Sequence, residues 1–340
     1  MKPIAHRALK NKQKSAVTKI IISDPNYGPR ANEISRLVKH SYEWVVVPPS
    51  DRQRLLDEIR EADAVVTSRF DAEMGKAASQ LRLVQCSASG TDGIDLSALR
   101  GGVAFCNTYH HEQSIAEHVL MNMLALSRDL LGADRDLRHG HWRSVVYQDN
   151  FRPHRLLAGK TVGIIGYGHI GQSIAVLAKA FGMRVIALRR DPSKTSPNVD
   201  EIRSPRELGW LMRWSDFAVV ASPLTEETKG SIGKEQLVEL GSQGFLINVG
   251  RGPIVDEAAL YRALTEGTIA GAAIDVWYQY PDAKESLQLP SRYDFASLSN
   301  VIMTPHHSGQ ANENFSKRIE DFAFNINSLE NGENFRNRLI

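Results

Sequence analysis

The sequence of 340 residues contains few cysteines and no long hydrophobic run. Its two cysteines, Cys86 and Cys106, form no CxxC pair and no cluster with histidines at the spacing of a zinc site. We therefore expect no metal, and we expect a compartment that keeps thiols reduced. No apolar stretch approaches the roughly 20 residues that cross a bilayer, and the N-terminus lacks the apolar core of a secretory signal. These absences favour a cytoplasmic protein without a membrane partner.

A large excess of charge of either sign is also missing, since the formal net charge is +2. Six lysines and arginines and no acidic residue fall within residues 1–19, so the rest of the chain is slightly acidic. A slightly acidic domain surface is not suited to bind the negatively charged backbone of a nucleic acid. We interpret residues 1–18 as a solvated basic tail, with an organelle transit peptide as the alternative.

Short β-branched runs alternate with helical stretches along the chain. In the first third this pattern predicts a helix over 51–62 and strands over 19–23, 43–47, 64–68, 83–87 and 103–106. A long helix is predicted near 113–131, because apolar residues recur every three or four positions at Ile115, Val119, Met123, Leu126 and Leu130. The second part of the chain predicts a last helix near 311–329 and strands over 161–166, 184–188, 216–221, 245–249, 268–274 and 300–304.

Alternation of this kind predicts an α/β fold with two Rossmann-like or flavodoxin-like domains, each built on a parallel sheet, and a cleft between the domains. We expect a dinucleotide-binding domain over 113–305, inserted into a substrate (catalytic) domain formed by 19–112 and 306–340. The last helix would then return to the first domain.

A glycine motif opens the second domain. Gly166, Gly168 and Gly171 form GxGxxG directly after an apolar strand and at the start of a helical stretch, which is the context that a dinucleotide site requires. The pyrophosphate of the cofactor would lie on the amides at the N-terminus of that helix, around His169 and Ile170.

The residue that follows the second strand of such a domain selects the cofactor. An NAD-selective site usually has Asp or Glu there, which accepts hydrogen bonds from the ribose hydroxyls. This chain has Arg189 and Arg190, whose guanidinium groups suit a 2′-phosphate. We therefore expect NADP(H) to be favoured over NAD(H), unless both side chains extend into solvent or Asp191 reaches back toward the ribose.

Three ionisable side chains follow successive predicted strands in the second domain. They are Arg251 in NVGRG, Asp275 in GAAIDV and His306 in TPH. Ligands of open α/β sheets bind at the carboxyl ends of the strands, so these positions are candidates for a catalytic site.

With these motifs in place, the sequence resembles the D-isomer-specific 2-hydroxyacid dehydrogenases, a family whose relatives include phosphoglycerate, glyoxylate/hydroxypyruvate, phosphite and formate dehydrogenases. The resemblance rests on GYGHIG, ASPLTEET, NVGRG, GAAIDV and TPH, with QCSASGTDGIDL (85–96) and SIAEHVL (114–120) upstream.

The resemblance implies a hydride transfer between NAD(P)(H) and a small 2-hydroxy or 2-keto acid of the D series. Arg251 would bind the substrate carboxylate and carbonyl oxygen, and His306 would be the general acid and base. Backbone amides around Ser89 and Gly90 would hold the carboxylate. Asp275 would contact the nicotinamide end of the cofactor. Ser222 and Pro223 of ASPLTEET would also bind the cofactor.

One position departs from the family. Most members have a Glu that pairs with the catalytic His five residues after the strand-end Asp, and this chain has Tyr280 there. Since a carboxylate raises the pKa of a neighbouring imidazole, His306 would titrate lower without it, or another acid such as Glu112 would substitute. His111 and Glu112 also differ from the small residues usual before the long helix, and they would either touch substrate or have a capping or hinge role.

The sequence leaves two alternative hypotheses about the function open. One is an NAD(H)-sensing binding protein on the same scaffold, which the missing Glu favours and the retained Arg251 and His306 oppose. The other is a formate- or phosphite-type dehydrogenase, which is opposed because the formate-binding residues of that group do not match. A homodimer is expected from the apolar helix near 113–131 and from the family.

Overall fold

The computed structural model describes residues 18–149, 151, 153–281, 287–330 and 334–340, which form two compact α/β units. One unit contains the described residues up to Tyr109 together with Ser316–Ile340, and the other contains His110–Phe315. Residues 1–17 of the predicted basic tail lie outside the described residues. His306, which the sequence analysis assigned to the first domain, belongs to the second unit, because that unit extends to Phe315.

The first unit contains a five-stranded parallel sheet in the order β2-β1-β3-β4-β5. Four of its strands are continuous buried runs, as expected for a sheet covered on both faces. The strands are β1 (Lys19–Ser23), β2 (Glu43–Val46), β3 (Ala64–Thr67), β4 (Leu83–Cys86) and β5 (Ala104–Cys106). The helices between them are α1 (Ala31–Leu37), α2 (Arg52–Glu58) and α3 (Ala72–Ala77). Cys86 and Cys106 are buried free thiols.

The second unit contains a seven-stranded parallel sheet in the order β12-β11-β10-β9-β6-β7-β8. Its strands are β6 (Thr161–Ile165), β7 (Arg184–Leu188), β8 (Glu201–Arg203), β9 (Phe217–Val220), β10 (Phe245–Asn248), β11 (Gly271–Ile274) and β12 (Val301–Met303). Its helices are α4 (Glu112–Arg128), α5 (Leu130–Arg138), α6 (His169–Ala180), α7 (Leu208–Arg213), α8 (Lys234–Leu240) and α9 (Glu257–Thr265). The predicted fold class, two α/β domains with parallel sheets, is confirmed.

Both faces of the seven-stranded sheet are buried. Along β7, Val185 and Ala187 belong to one hydrophobic cluster, and Ile186 and Leu188 belong to another. This separation follows from the pleat, which points successive side chains to opposite faces. The order of strands reverses direction between β6 and β9, so the ends of these two strands open a crevice at the carboxyl edge of the sheet.

The long helix predicted near 113–131 is interrupted. Asp129 adopts a left-handed conformation with φ 46°, which ends α4 at Arg128 and starts α5. Ile115, Val119 and Met123 of α4 are buried in a cluster that includes Ile174 of α6. The face of α4 formed by these residues is therefore covered within its own unit, and the homodimer stays a prediction.

The last helix, α10 (Asn312–Ser328), contacts the first sheet through buried polar and aromatic groups. Asn325 donates a hydrogen bond of 2.6 Å from Nδ2 to Oε1 of Gln85 on β4. The rings of Phe322 and Tyr27 meet edge to face at 4.8 Å. The first unit is thus discontinuous in the chain. No helix among the described residues has the length and hydropathy to cross a membrane.

Candidate active site

The glycine motif forms the turn between β6 and α6. Gly166 has φ 100°, and a Cβ at this position would lie 2.7 Å from the amide nitrogen of Ser222, so both the backbone angle and the space require glycine. Gly168 caps α6, and a Cβ on it would meet open space. His169 is exposed, Ile170 is half-buried and Gly171 is buried in the first helical turn.

This turn fits a dinucleotide. The first turn of α6 carries no acidic residue, and its N-terminus presents backbone amides and the positive end of the helix dipole to an anion. Ser222 follows β9 next to Gly166, and within the described residues its buried Oγ has no hydrogen-bond partner. Pro223 comes next and accepts a 2.8 Å hydrogen bond from Thr228 at its carbonyl, which closes the turn after β9.

Arg189 and Arg190 follow β7 at the same edge of the sheet, with Arg189 half-buried and Arg190 exposed. The carboxylate of Asp191 is engaged in its own turn, because its Oδ1 accepts a 2.5 Å hydrogen bond from the hydroxyl of Ser193 and its Oδ2 lies 3.7 Å from Nζ of Lys194. The carboxylate of Asp191 is thus held within its own turn in this structure.

The loop after β10 positions Arg251. The side chain of Asn248 bridges this loop, since its Oδ1 accepts from the amide of Gly250 at 3.1 Å and its Nδ2 donates to the carbonyl of Arg251 at 3.1 Å. A Cβ on Gly252 would lie 2.3 Å from the carbonyl oxygen of Trp277. Glycine at this position allows the loops after β10 and β11 to touch, which brings Arg251 toward the segment that follows Asp275.

Asp275 is buried at the end of β11 and anchors the loop that holds His306. Its carboxylate accepts hydrogen bonds from the hydroxyl of Thr304 at 2.7 Å and from the amides of His307 and Ser308 at 3.1 Å each. Burial by itself would raise the pKa of Asp275, but these hydrogen bonds hold it below its usual value. Asp275 is therefore a fixed negative charge beneath the loop.

His306 follows β12 in a left-handed backbone conformation, with φ 55°. A non-glycine residue in this region costs about 1–3 kcal/mol, and such strain often occurs at functional positions. The pKa of His306 is lowered, mainly because the surrounding protein desolvates the ring and further because of the charge of Arg251, while Asp275 acts in the opposite direction. Arg251 and Asp275 therefore both act electrostatically on His306, in opposite directions.

Tyr280 is the partner of His306. Its hydroxyl oxygen lies 3.0 Å from Nδ1 of His306 and accepts a 3.1 Å hydrogen bond from the backbone amide of Trp277. The indole of Trp277 donates to the carbonyl of Thr304 at 2.8 Å, which joins this segment to the His306 loop. Trp277, Thr304 and Asn248 are positioning residues that the sequence analysis missed; only their place next to the strand-end residues could have indicated them.

Glu112, the acid considered as a substitute partner for His306, lies elsewhere in the second unit. Its Oε1 is 3.8 Å from Nδ1 of His111 and 4.0 Å from Nδ1 of His169 in the glycine motif. His111 precedes the first residue of α4 and makes no side-chain capping hydrogen bond there. A substrate contact by His111 or Glu112 stays a prediction.

Ser89 and Gly90 lie in the loop after β4, in the first unit. The carbonyl of Ser89 accepts a 2.9 Å hydrogen bond from the side chain of Asn107, and the carbonyl of Gly90 lies 3.6 Å from Sγ of Cys86. These contacts hold the loop through its carbonyl groups. Carboxylate binding by the amides of Ser89 and Gly90 stays a prediction.

The chain is similar to known proteins over most of its length. Residues 120–308 match the family model described as D-isomer specific 2-hydroxyacid dehydrogenase, NAD binding domain. The chain is 36% identical over 309 residues to a glyoxylate reductase of Thermococcus kodakarensis, which covers 87% of this chain and 90% of the relative. It is 34% identical over 298 residues to a glyoxylate reductase of Korarchaeum cryptofilum, covering 85% and 86% of the two chains.

Among solved structures, the fold is similar to that of an NADPH-dependent glyoxylate/hydroxypyruvate reductase of Sinorhizobium meliloti, determined in complex with NADP and malonate. The TM-score is 0.76, the identity is 26%, and the match covers 95% of this chain and 97% of the other.

Proposed function

Because the chain belongs to the D-isomer specific 2-hydroxyacid dehydrogenase family and is an NAD(P)-dependent hydroxyacid dehydrogenase, we propose that it reduces small 2-keto acids such as glyoxylate and hydroxypyruvate, giving the D isomer where the product is chiral. The observation that carries the proposal is the placement of Arg251, Asp275 and His306 at the ends of the adjacent strands β10, β11 and β12.

We assign the proton chemistry to His306 and the oxyanion to Arg251. A bound nicotinamide supplies or accepts the hydride. The guanidinium of Arg251 would hold the carboxylate and the carbonyl oxygen of the substrate and stabilise the negative charge that develops on that oxygen. His306 would protonate the same oxygen during reduction and remove the hydroxyl proton during oxidation. Asp275 would keep the His306 loop in place.

The test is a reductase screen over small 2-keto acids, with NADPH and NADH in parallel and with the absorbance of the reduced nicotinamide as the signal. Turnover of glyoxylate or hydroxypyruvate supports the proposal, and the configuration of the glycerate formed from hydroxypyruvate tests the D assignment. Tight binding of reduced cofactor without turnover of any 2-keto acid would contradict it.

We propose NADPH as the preferred cofactor. Within the described residues, no carboxylate forms an ion pair with Arg189 or Arg190, and Asp191 is held by Ser193. The pKa of Glu227 is lowered first by a hydrogen bond from Thr225 and in smaller part by the charge of Arg190. Arg189 is thus the guanidinium best placed to meet a 2′-phosphate at the end of β7.

Arg189→Asp is expected to reverse the preference. A charge-assisted hydrogen bond contributes roughly 1.5–3 kcal/mol, which corresponds to about a tenfold to hundredfold higher kcat/KM with NADPH in the parent. The substitution removes this contact and places a like charge opposite the phosphate. The measurement is kcat/KM for each cofactor in both proteins. Arg184→Asp, at the other end of β7, makes the same charge change and should leave the ratio unaltered. A parent that prefers NADH would overturn this assignment of Arg189.

We also propose a homodimer, now through the segment from α5 onward rather than through α4. Large apolar side chains are exposed at Leu130, Leu131, Leu137, Trp142, Val145, Val146 and Tyr147. Exposed apolar surface of this extent is typical of an interaction site, and symmetric dimers are the commonest soluble assembly.

Light scattering at micromolar concentration should give twice the chain mass of 37.8 kDa. Val146→Asp should shift the protein toward monomer, while the same change at the exposed Val176 of α6 should not. A monomeric parent would refute the dimer.

A further inference from the structure

The partner of the His306 ring is Tyr280, which lies in the connection that follows β11. Tyr280 follows β11 by six residues, and the hydrogen bond from Trp277 holds its hydroxyl against Nδ1 of His306. The two rings are tilted by 54° with centroids 5.7 Å apart, so the hydroxyl rather than the ring face makes the contact. A hydrogen bond at Nδ1 fixes which ring nitrogen is left for the substrate, which here is Nε2.

The hydroxyl of Tyr280 can serve both protonation states of His306. The side chain of Tyr280 is half exposed, but the protein around its hydroxyl partly desolvates it. This raises the pKa of Tyr280 against smaller opposing effects of the Trp277 amide and Arg251, so the phenol is uncharged at neutral pH. Its oxygen accepts from Trp277 and still has one proton and one lone pair. It can therefore accept from Nδ1–H both in the imidazolium and in the neutral tautomer whose Nε2 is free to take the substrate proton. It can also donate to Nδ1 of the other neutral tautomer, whose Nε2–H cannot act as a base. A carboxylate could only accept.

Within the described residues, no carboxylate forms a hydrogen bond or an ion pair with His306. Among the residues that the structure describes, the charged and titratable groups that act on His306 are Tyr280 from the segment after β11, Asp275 at the end of β11 and Arg251 from the loop after β10. Asp275 is occupied by Thr304, His307 and Ser308. His307 on the same loop packs edge to face on His118 of α4 at 5.7 Å and is turned to that ring. Only Asp275 opposes the desolvation and the charge of Arg251.

We propose that Tyr280 is the positioning residue of His306: it orients the imidazole without stabilising its cation, and thereby restricts efficient keto-acid reduction to the acidic side of neutrality while allowing hydroxy-acid oxidation at neutral pH. This inference rests on the proposed role of His306. Reduction requires the imidazolium, so its rate falls as pH rises through the pKa of His306. Oxidation requires the neutral ring, so its rate rises with pH through the same range.

Substitutions at Tyr280 separate the charge from the hydrogen bond. Tyr280→Glu places a carboxylate beside Nδ1 and should move the falling limb of the reductive pH profile upward by about one to three pH units. Tyr280→Gln keeps a neutral hydrogen-bonding group and should leave the limb near its original position. Tyr280→Phe keeps the ring but loses the hydroxyl, so we expect kcat to fall by about tenfold or more, because a misplaced acid loses rate steeply, with KM for the keto acid little changed.

Tyr278→Phe is the matched control. Tyr278 lies two residues away in the same segment, but its hydroxyl donates to the carbonyl of Val255 at 3.0 Å and not to His306. The same atom is removed there, and the position of the pH limb should not move. A general loosening of this segment would affect both tyrosine variants alike, whereas the proposed contact affects only Tyr280.

The titration of His306 can also be followed without turnover. In protein with ¹³C-labelled histidine rings, the His306 resonance is identified by its loss in His306→Gln, and its midpoint is read directly. The expected result is a midpoint below that of an ordinary histidine in the parent and a marked rise in Tyr280→Glu. An unchanged midpoint in Tyr280→Glu would overturn the inference, even if the enzyme is active. Absence of keto-acid turnover with the expected midpoint shift would instead refute the proposed function and leave the Tyr280 contact standing.

Discussion

Replacing Arg251 with alanine is expected to lower kcat/KM for glyoxylate by about 10³–10⁵. Removing one preorganised oxyanion donor costs about 10²–10³ in rate. Loss of a charge-assisted contact to the substrate carboxylate adds roughly 1.5–3 kcal/mol, or about a further tenfold to hundredfold. Steady-state kinetics with glyoxylate and NADPH measures the loss, which should fall on both kcat and KM.

The Arg251 result is controlled in two ways. Arg251→Lys keeps the charge but not the planar pair of donors, so it should recover part of the lost activity but not all of it. NADPH binding, followed by fluorescence, should be nearly unchanged in both variants, because the two hydrogen bonds of the Asn248 side chain still close the Arg251 loop when the 2.8 Å bond from the guanidinium to the carbonyl of Gly250 is lost. A folded Arg251→Ala protein with parental activity would rule out Arg251 as the carbonyl-binding group.

Buried strands could be predicted from the sequence because their composition and their burial agree. The bounds of β1 and β7 equal the predicted ranges 19–23 and 184–188, since both are short runs of apolar residues. The strand β8 was missed. Its three residues, Glu201–Arg203, are half-buried at the edge of the sheet, and two of them are charged, so no apolar pattern marks it.

The candidate site could be predicted only at the level of strand ends. The order of the strands along the chain does not by itself show that β10, β11 and β12 are neighbours in the sheet, although consecutive strands are often adjacent. The contact between Tyr280 and His306 depends on how the segment after Asp275 turns, which the close approach at Gly252 and the amide of Trp277 decide. Nothing in the local pattern around His306 indicates its left-handed backbone, because tertiary contacts at Thr304, His307 and Ser308 impose it.

His306→Gln should reduce kcat for glyoxylate reduction by about 10²–10⁴, the usual contribution of a positioned general acid. Glutamine keeps a polar group near Tyr280 but has no proton to exchange in this pH range. The pH dependence that comes from His306 should therefore disappear along with the rate. In the parent, the pKa of His306 is lowered by desolvation and by Arg251, so reduction is fastest at acidic pH and declines as pH rises through that pKa.

The neighbouring histidine provides the matched control for this prediction. His307 lies on the same loop, but its ring packs against His118, and only its backbone amide bonds to Asp275. His307→Gln should therefore keep most of the activity and the parental pH limb. If the limb persists in His306→Gln and is lost in His307→Gln, the proton donor is His307 and the assignment of His306 is wrong. If both variants keep the limb, the titrating acid lies outside this loop, and the protonation step belongs to another group.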